Sequence, residues 1–167
     1  MDPSDVAVLQ DLYKSLNQPS QLVGWNSMSG ANPCKESWKG ISCSGSSVVS
    51  IQLNGLELHG SLPRNLGDLL NLKQLDLSHN HIEGEIPSSL PPNATHMNLS
   101  HNSLSGTLGD VLTGFPSLKN MDMSYNELCG DLPSSFKSLT NLNELYLHHN
   151  TFEGALNVLA YLPLQVL

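Results

Sequence analysis

From residue 48 onward, apolar residues return in a single register. Leu72, Leu75, Leu77, Asn80, Ile82, Gly84 and Ile86 are matched 46 residues later by Leu118, Met121, Met123, Asn126, Leu128, Gly130 and Leu132. Ala94, Met97, Leu99, Asn102, Leu104, Gly106 and Leu108 fit between them, and Leu142, Leu145, Leu147, Asn150, Phe152, Gly154 and Leu156 follow. A weaker first unit is Val48, Ile51, Leu53, Leu56, Leu58, Gly60 and Leu62. The period is 24 residues, shortened to 22 at Leu90-Pro91-Pro92 and Tyr161-Leu162-Pro163. Fixed-period self-similarity of this length marks a repeat architecture.

Counting the first apolar residue of each unit as position 1, positions 4 and 6 are apolar and flank a polar one, as in Leu75-Asp76-Leu77. This alternation predicts a short strand with one buried face. Asn80, Asn102, Asn126 and Asn150 at position 9 fall where the chain leaves the strand, and their amides can bond backbone groups that a turn leaves unpaired. Stacked units would share an asparagine ladder, broken in the first unit, where Leu56 stands instead. Gly at position 13 permits dihedrals a Cβ forbids, and Pro63, Pro87 and Pro133 at position 16 end a strand; Gly109 and Asn157 depart from that pattern. One unit cannot bury its own leucines, whereas several stacked units can. Residues 48–167 therefore read as an α/β solenoid of five repeats and a truncated sixth, with a parallel sheet on one face. Upstream, Val6, Leu9, Leu12, Tyr13 and Leu16 share one helical face, which suits a helix capping the first repeat within an N-terminal capping region, residues 1–47.

The consensus carried by Leu72 to Pro87, L-x-x-L-x-L-x-x-N-x-L-x-G-x-I/L-P, resembles the plant-specific leucine-rich repeat. The run Asn32-Pro33-Cys34-Lys35-Glu36-Ser37-Trp38-Lys39-Gly40-Ile41-Ser42-Cys43 resembles the N-terminal cap of plant receptor-like kinase ectodomains. Together with the S-D-V-x-x-L-x-x-L-Y-x-S-L opening and the shortened SSLPPNATHMNLSHN unit, it is similar to the STRUBBELIG receptor family. The resemblance implies a plant-type leucine-rich-repeat superhelix with its parallel sheet on the concave face. It also implies a Cys34–Cys43 bridge, a tryptophan packed over the open end of the solenoid, and a membrane helix and kinase-like domain outside this chain.

Leucine accounts for 31 of 167 residues, and only 13% are charged, a composition that folds. The net charge is −8, and no Lys or Arg cluster exists that could neutralise phosphates, so nucleic acid is excluded as a partner. Neither an apolar run long enough to span a membrane nor a signal peptide is legible. Leu164 and Leu167 occupy positions 1 and 4 of a unit without its remaining residues. The chain is accordingly expected to be part of a longer protein, with any signal or anchor outside it, and an added repeat is expected to raise its thermal midpoint. Three cysteines allow one bridge and one free thiol and lack zinc-site spacing; with Cys34 and Cys43 bridged, Cys129 is the remainder. Two sequons, Asn93-Ala94-Thr95 and Asn98-Leu99-Ser100, make Asn93 and Asn98 glycosylation candidates and fit an oxidising compartment.

No nucleophile elbow, zinc-protease helix, phosphate loop or kinase signature is present, so no enzyme activity, cofactor or metal site is expected. His79, His101 and His149 share position 8 with Tyr125, below Gly55, and could form a surface column. The bland reading is solvated residues; the sharper one is a partner-binding column that responds to pH. Recognition is the expected function. The candidate concave-face residues are Lys73, Asp76, His79, His96, Lys119, Asp122, Tyr125, Tyr146 and His149, and the tyrosines are the best anchors. The partner would be a peptide, a cell-wall component or another receptor ectodomain, met on the extracellular side of the plasma membrane. Rival readings are a secreted inhibitor of microbial wall-degrading enzymes and a cytoplasmic interaction scaffold.

Overall fold

The computed structural model describes residues 2–26, 30–109, 111, 112 and 114–167. It begins with a helix, α1 (Pro3–Ser15). Ten short strands follow: β1 (Ile41–Ser44), β2 (Ser47–Gln52), β3 (Gln74–Asp76), β4 (Glu83–Glu85), β5 (His96–Asn98), β6 (Ser103–Thr107), β7 (Asn120–Asp122), β8 (Glu127–Asp131), β9 (Glu144–Tyr146) and β10 (Thr151–Glu153).

Helix α1 starts where Asp2 accepts the Ser4 amide and Pro3 supplies a preset φ. Leu9, Leu12 and Leu16 are buried as the spacing requires, but Val6 is only half-buried, and Val8 enters the core instead. The helix is turned so that Asp5 is also buried, where it accepts the Val48 amide at 2.8 Å. That hydrogen bond ties the cap to the first repeat.

The principal sheet has the order β1-β2-β3-β5-β7-β9. Its first pair is an antiparallel hairpin, with a register shift between Ser42 and Cys43; every later pair is parallel. Position 4 stays in register throughout: Ile51 faces Leu75, then Met97, Met121 and Leu145. All five are buried, as are Leu53, Leu77, Leu99 and Met123 at position 6, in one continuous core that runs from Val8 to Leu159.

The expected parallel sheet on one face is the principal sheet, and a second, four-stranded parallel sheet of order β10-β8-β6-β4 adds to it. Its strands fall within positions 10–14 of each repeat, where sequences such as Glu83-Gly84-Glu85 carry no strand signature of their own. They pair because stacking brings the same extended segment of each turn alongside its neighbour, and a backbone group so placed must find a partner. Gly84, Gly106 and Gly130 hold φ of 79–84° within these strands, which few other residues tolerate. At the far end, Val166 bridges Glu144 in parallel, and Leu145 donates to the Val166 carbonyl at 3.0 Å. A fifth parallel pairing of the principal sheet has therefore begun.

Candidate partner-binding face

The cap fixes the first repeat. Cys34 and Cys43 are bonded, with Cα atoms 5.6 Å apart, and Trp25 and Trp38 are both 1% exposed with ring centroids 5.5 Å apart. Trp25 Nε1 donates to the Lys39 carbonyl at 2.9 Å, so the buried indole is satisfied.

Below the cap, the asparagine ladder sets the turns. Asn80 Oδ1 accepts the Leu56 and Leu58 amides at 3.1 and 3.0 Å, while its Nδ2 donates to the carbonyls of Leu53, Leu77 and Ser78. Asn102, Asn126 and Asn150 repeat the pattern, each joining its own turn to the preceding one. Leu56 in the first unit breaks nothing, because Asn80 reaches back to satisfy that turn.

A second polar ladder lies outside the repeat consensus. Asp76 Oδ1 accepts both the amide and hydroxyl of Ser78, Asn98 does so with Ser100, and Asp122 with Ser124, at 2.6–3.0 Å. The signal is [DN]-x-S at positions 5 and 7 of three successive repeats, and its chemistry is the Asx turn. Asp76, Asn98 and Asp122 are thus half-buried residues with one oxygen committed to the backbone, not freely solvated side chains. Tyr146 and His148 take over these positions in the next repeat and end the series.

Positions 3 and 5 line a groove of about 330 Å³ across the strands, walled by Gln52, Gln74, Asp76, His96, Asn98, Asn120, Asp122, Glu144 and Tyr146, with Leu75, Met97 and Met121 of position 4 between them. Of the concave-face candidates, Asp76, His96, Asp122 and Tyr146 meet there. Lys73 and Lys119, at position 2, are exposed outside the groove lining, and the Lys73 ammonium donates to the Asn93 carbonyl at 3.4 Å. Gln52, Gln74, Asn120 and Glu144, none of them among the expected contacts, complete the groove from the same positions 3 and 5.

The position-8 candidates form a separate feature. His79, His101, Tyr125 and His149 stack face to face, with successive centroids 4.1, 4.2 and 4.0 Å apart and planes within 15° of parallel. All four residues hold φ of 52–56°, the left-handed conformation that projects each ring along the solenoid. His148 meets Tyr125 and His149 edge-on, and its Nδ1 lies 2.8 Å from His149 Nδ1. Desolvation, and then the neighbouring His79 charge, pull the His101 pKa below its ordinary value. A separate pair, His59 and His81, stacks at 4.8 Å. Among the described residues no group of three or more metal-ligating side chains comes together.

At the two sequons the amides differ. Asn93 Nδ2 donates to the Leu70 carbonyl at 2.8 Å, and Thr95 Oγ1 donates to the Lys73 carbonyl. Asn98 uses only its oxygen, in the turn described above, and lines the groove. Cys129 is half-buried in β8, between Thr107 and Thr151 of the neighbouring strands.

A disulfide-bonded helical cap, leucine turns joined by asparagines, and a groove on the strand face define a class: the plant-type leucine-rich-repeat ectodomain. The leucine rich repeat N-terminal domain profile matches residues 2–44, and the leucine rich repeat profile matches 71–92, 93–115 and 117–139. A chain of the BIR3–SERK2 complex from Arabidopsis thaliana superposes with TM-score 0.79 at 32% identity, over 90% of this chain and 84% of that one. The ectodomain of GASSHO1/SCHENGEN3 from the same plant, solved in complex with CASPARIAN STRIP INTEGRITY FACTOR 2, gives 0.81 at 30% identity over 98% of this chain and 20% of its own. STRUBBELIG-RECEPTOR FAMILY 2 of Arabidopsis thaliana is 52% identical over an alignment of 137 residues that covers 68% of this chain. The chain belongs to the leucine-rich-repeat receptor ectodomains of plants, and within them it resembles the STRUBBELIG receptor family. It spans less than a fifth of that relative's length, 18%.

Proposed function

We propose that this segment is the non-catalytic recognition module of a plant receptor-like kinase, holding a peptide or a second receptor ectodomain on the extracellular side of the plasma membrane. In this reading residues 1–47 cap the solenoid and residues 48–167 present its recognition surface. One observation carries it: the tyrosine-bearing groove, of mixed polar and apolar lining, lies across strands whose backbones are locked by two ladders, so its side chains are held in place before a partner arrives. Relatives of the same fold support it, one solved with a protein named as an integrity factor and one as a complex of two receptor proteins. The Cys34–Cys43 bond favours an oxidising compartment over a cytoplasmic scaffold. Lys73, Asp76, His79, His96, Lys119, Asp122, Tyr125, Tyr146 and His149 are the proposed contact residues, and Asn93 and Asn98 the proposed glycan acceptors. A glycan on Asn98 would stand in the groove and direct a partner to either flank.

The test is a binding screen of the secreted segment against plant secreted peptides and receptor ectodomains. Asp122→Lys and Tyr146→Ala should each weaken a genuine partner about tenfold or more, whereas Glu153→Lys on the second sheet should leave it intact. Loss with Glu153→Lys and retention with the groove variants would place recognition elsewhere.

A further inference from the structure

The ring column lacks one member at its head. Position 8 of the first repeat is Gly55, which keeps the backbone of the column: φ is 65°, and its amide donates to the Ser78 carbonyl at 3.0 Å. The amides of His79, His101 and Tyr125 make the equivalent bond to the next turn at the same 3.0 Å. A Cβ built on Gly55 would meet nothing within 4 Å, and both Gly55 and His79 are exposed. One face of His79 rests on His101, and among the described residues no ring covers the other. The solenoid thus leaves open space where a further ring would lie, an open-sided slot over the already aligned face of His79.

We propose that this slot is a binding subsite for an aromatic side chain, a phenol or an indole, carried by a peptide partner of the recognition face; the peptide origin rests on the function proposed above. The column itself shows the chemistry it accepts, since Tyr125 lies between the imidazoles of His101 and His149 at 4.2 and 4.0 Å. Ring contacts of this kind add to the area they bury. A guanidinium could also lie flat on this face, but every ring stacked in the column is aromatic, and the guanidinium is therefore the competing outcome of the test. The inserted ring would sit where a residue-55 side chain would project, so the subsite and a side chain at position 55 exclude one another.

The probe is N-acetyl-tryptophanamide, titrated into the protein and followed by NMR of the histidine ring protons, with N-acetyl-argininamide in parallel. His79 is assigned with His79→Gln. Saturable upfield shifts at His79, largest among the seven histidines, are expected with the indole. Gly55→Tyr should fill the slot with the chain's own ring, shift the His79 signals upfield without any probe, and weaken probe binding by about tenfold or more. Residues 79, 101, 125 and 149 show that this conformation accepts a side chain; should Gly55→Tyr nevertheless fail to fold, His79→Ala must abolish the probe response instead. No response at His79, an equal response in Gly55→Tyr or, in its absence, in His79→Ala, or tighter binding of argininamide would each overturn the subsite. Because the probe is a small amide, none of these outcomes depends on the identity of the receptor's partner, and none would touch the groove proposed for it.

Discussion

Asn126 satisfies parts of two turns with one side chain: its Oδ1 takes the Leu104 amide at 3.0 Å, and its Nδ2 gives to the Leu99, Met123 and Ser124 carbonyls at 3.0–3.2 Å. Asn126→Ala removes no apolar contact of note but leaves these groups unpaired beside the core, which should cost about 2–3 kcal/mol in urea unfolding. Two titrating residues bend stability in opposite directions with pH. Burial, followed by the Asp2 charge, raises the Asp5 pKa against the lowering effect of the Val48 amide. Folded Asp5 therefore keeps its proton at pH values where the unfolded chain has lost it. Its contribution favours folding most at low pH and is lost as pH rises from about 4 through the raised value. His101 acts in the reverse sense. Its depressed pKa means that the unfolded chain binds the proton first, so stability falls as pH drops below about 6.5. Melting curves of His101→Gln against the parent should converge at neutral pH and separate as pH falls below about 6.5, the variant losing less; parallel curves would refute the assignment.

At the scale of elements, the cap is held by contacts too close for substitution. A Cβ on Gly60 would collide with the Ser15 carbonyl at the end of α1, and the residue's φ of 94° adds strain of its own. Gly60→Ala should lower stability by several kcal/mol, loosening α1 before the repeats; early loss of amide protection in α1 would show it. The elements were unevenly legible in the sequence. Leu75-Asp76-Leu77 announces a strand because alternation is a property of single residues. Glu83-Gly84-Glu85 does not, because the second sheet exists only once the turns are stacked. The rotation of α1 was likewise hidden: a buried carboxylate pays for itself only through the Val48 amide, 43 residues away. At the site, register alone gave the groove-lining columns and the position-8 column, whereas the commitment of Asp76 and Asp122 to serine turns lay in a short motif readable only across repeats.

For the molecule as a whole, parallel pairing joins each turn only to its neighbours, so stability is a sum of local interfaces. The far end has the least to add. Leu156 and Tyr161 are 62% and 90% exposed, and one bridge at Val166 continues the principal sheet. Hydrogen exchange should be slowest in β3, β5 and β7 and faster by orders of magnitude at residues 151–167; uniform protection would show that the solenoid opens only as one unit.

The ladders also turn the strand face into a ruler. Position-5 side chains repeat once per turn, roughly every 4.8 Å, whereas an extended chain laid across them presents same-side residues every 6.8 Å or so. The two scales fall into step only about every 14 Å, near every third turn. A partner lying extended across this face could seat a strong contact at one repeat in three, with the intervening side chains out of phase. Specificity would then reside in a few widely spaced anchors, and inserting a single repeat between them would act as a frameshift in recognition while leaving the fold intact.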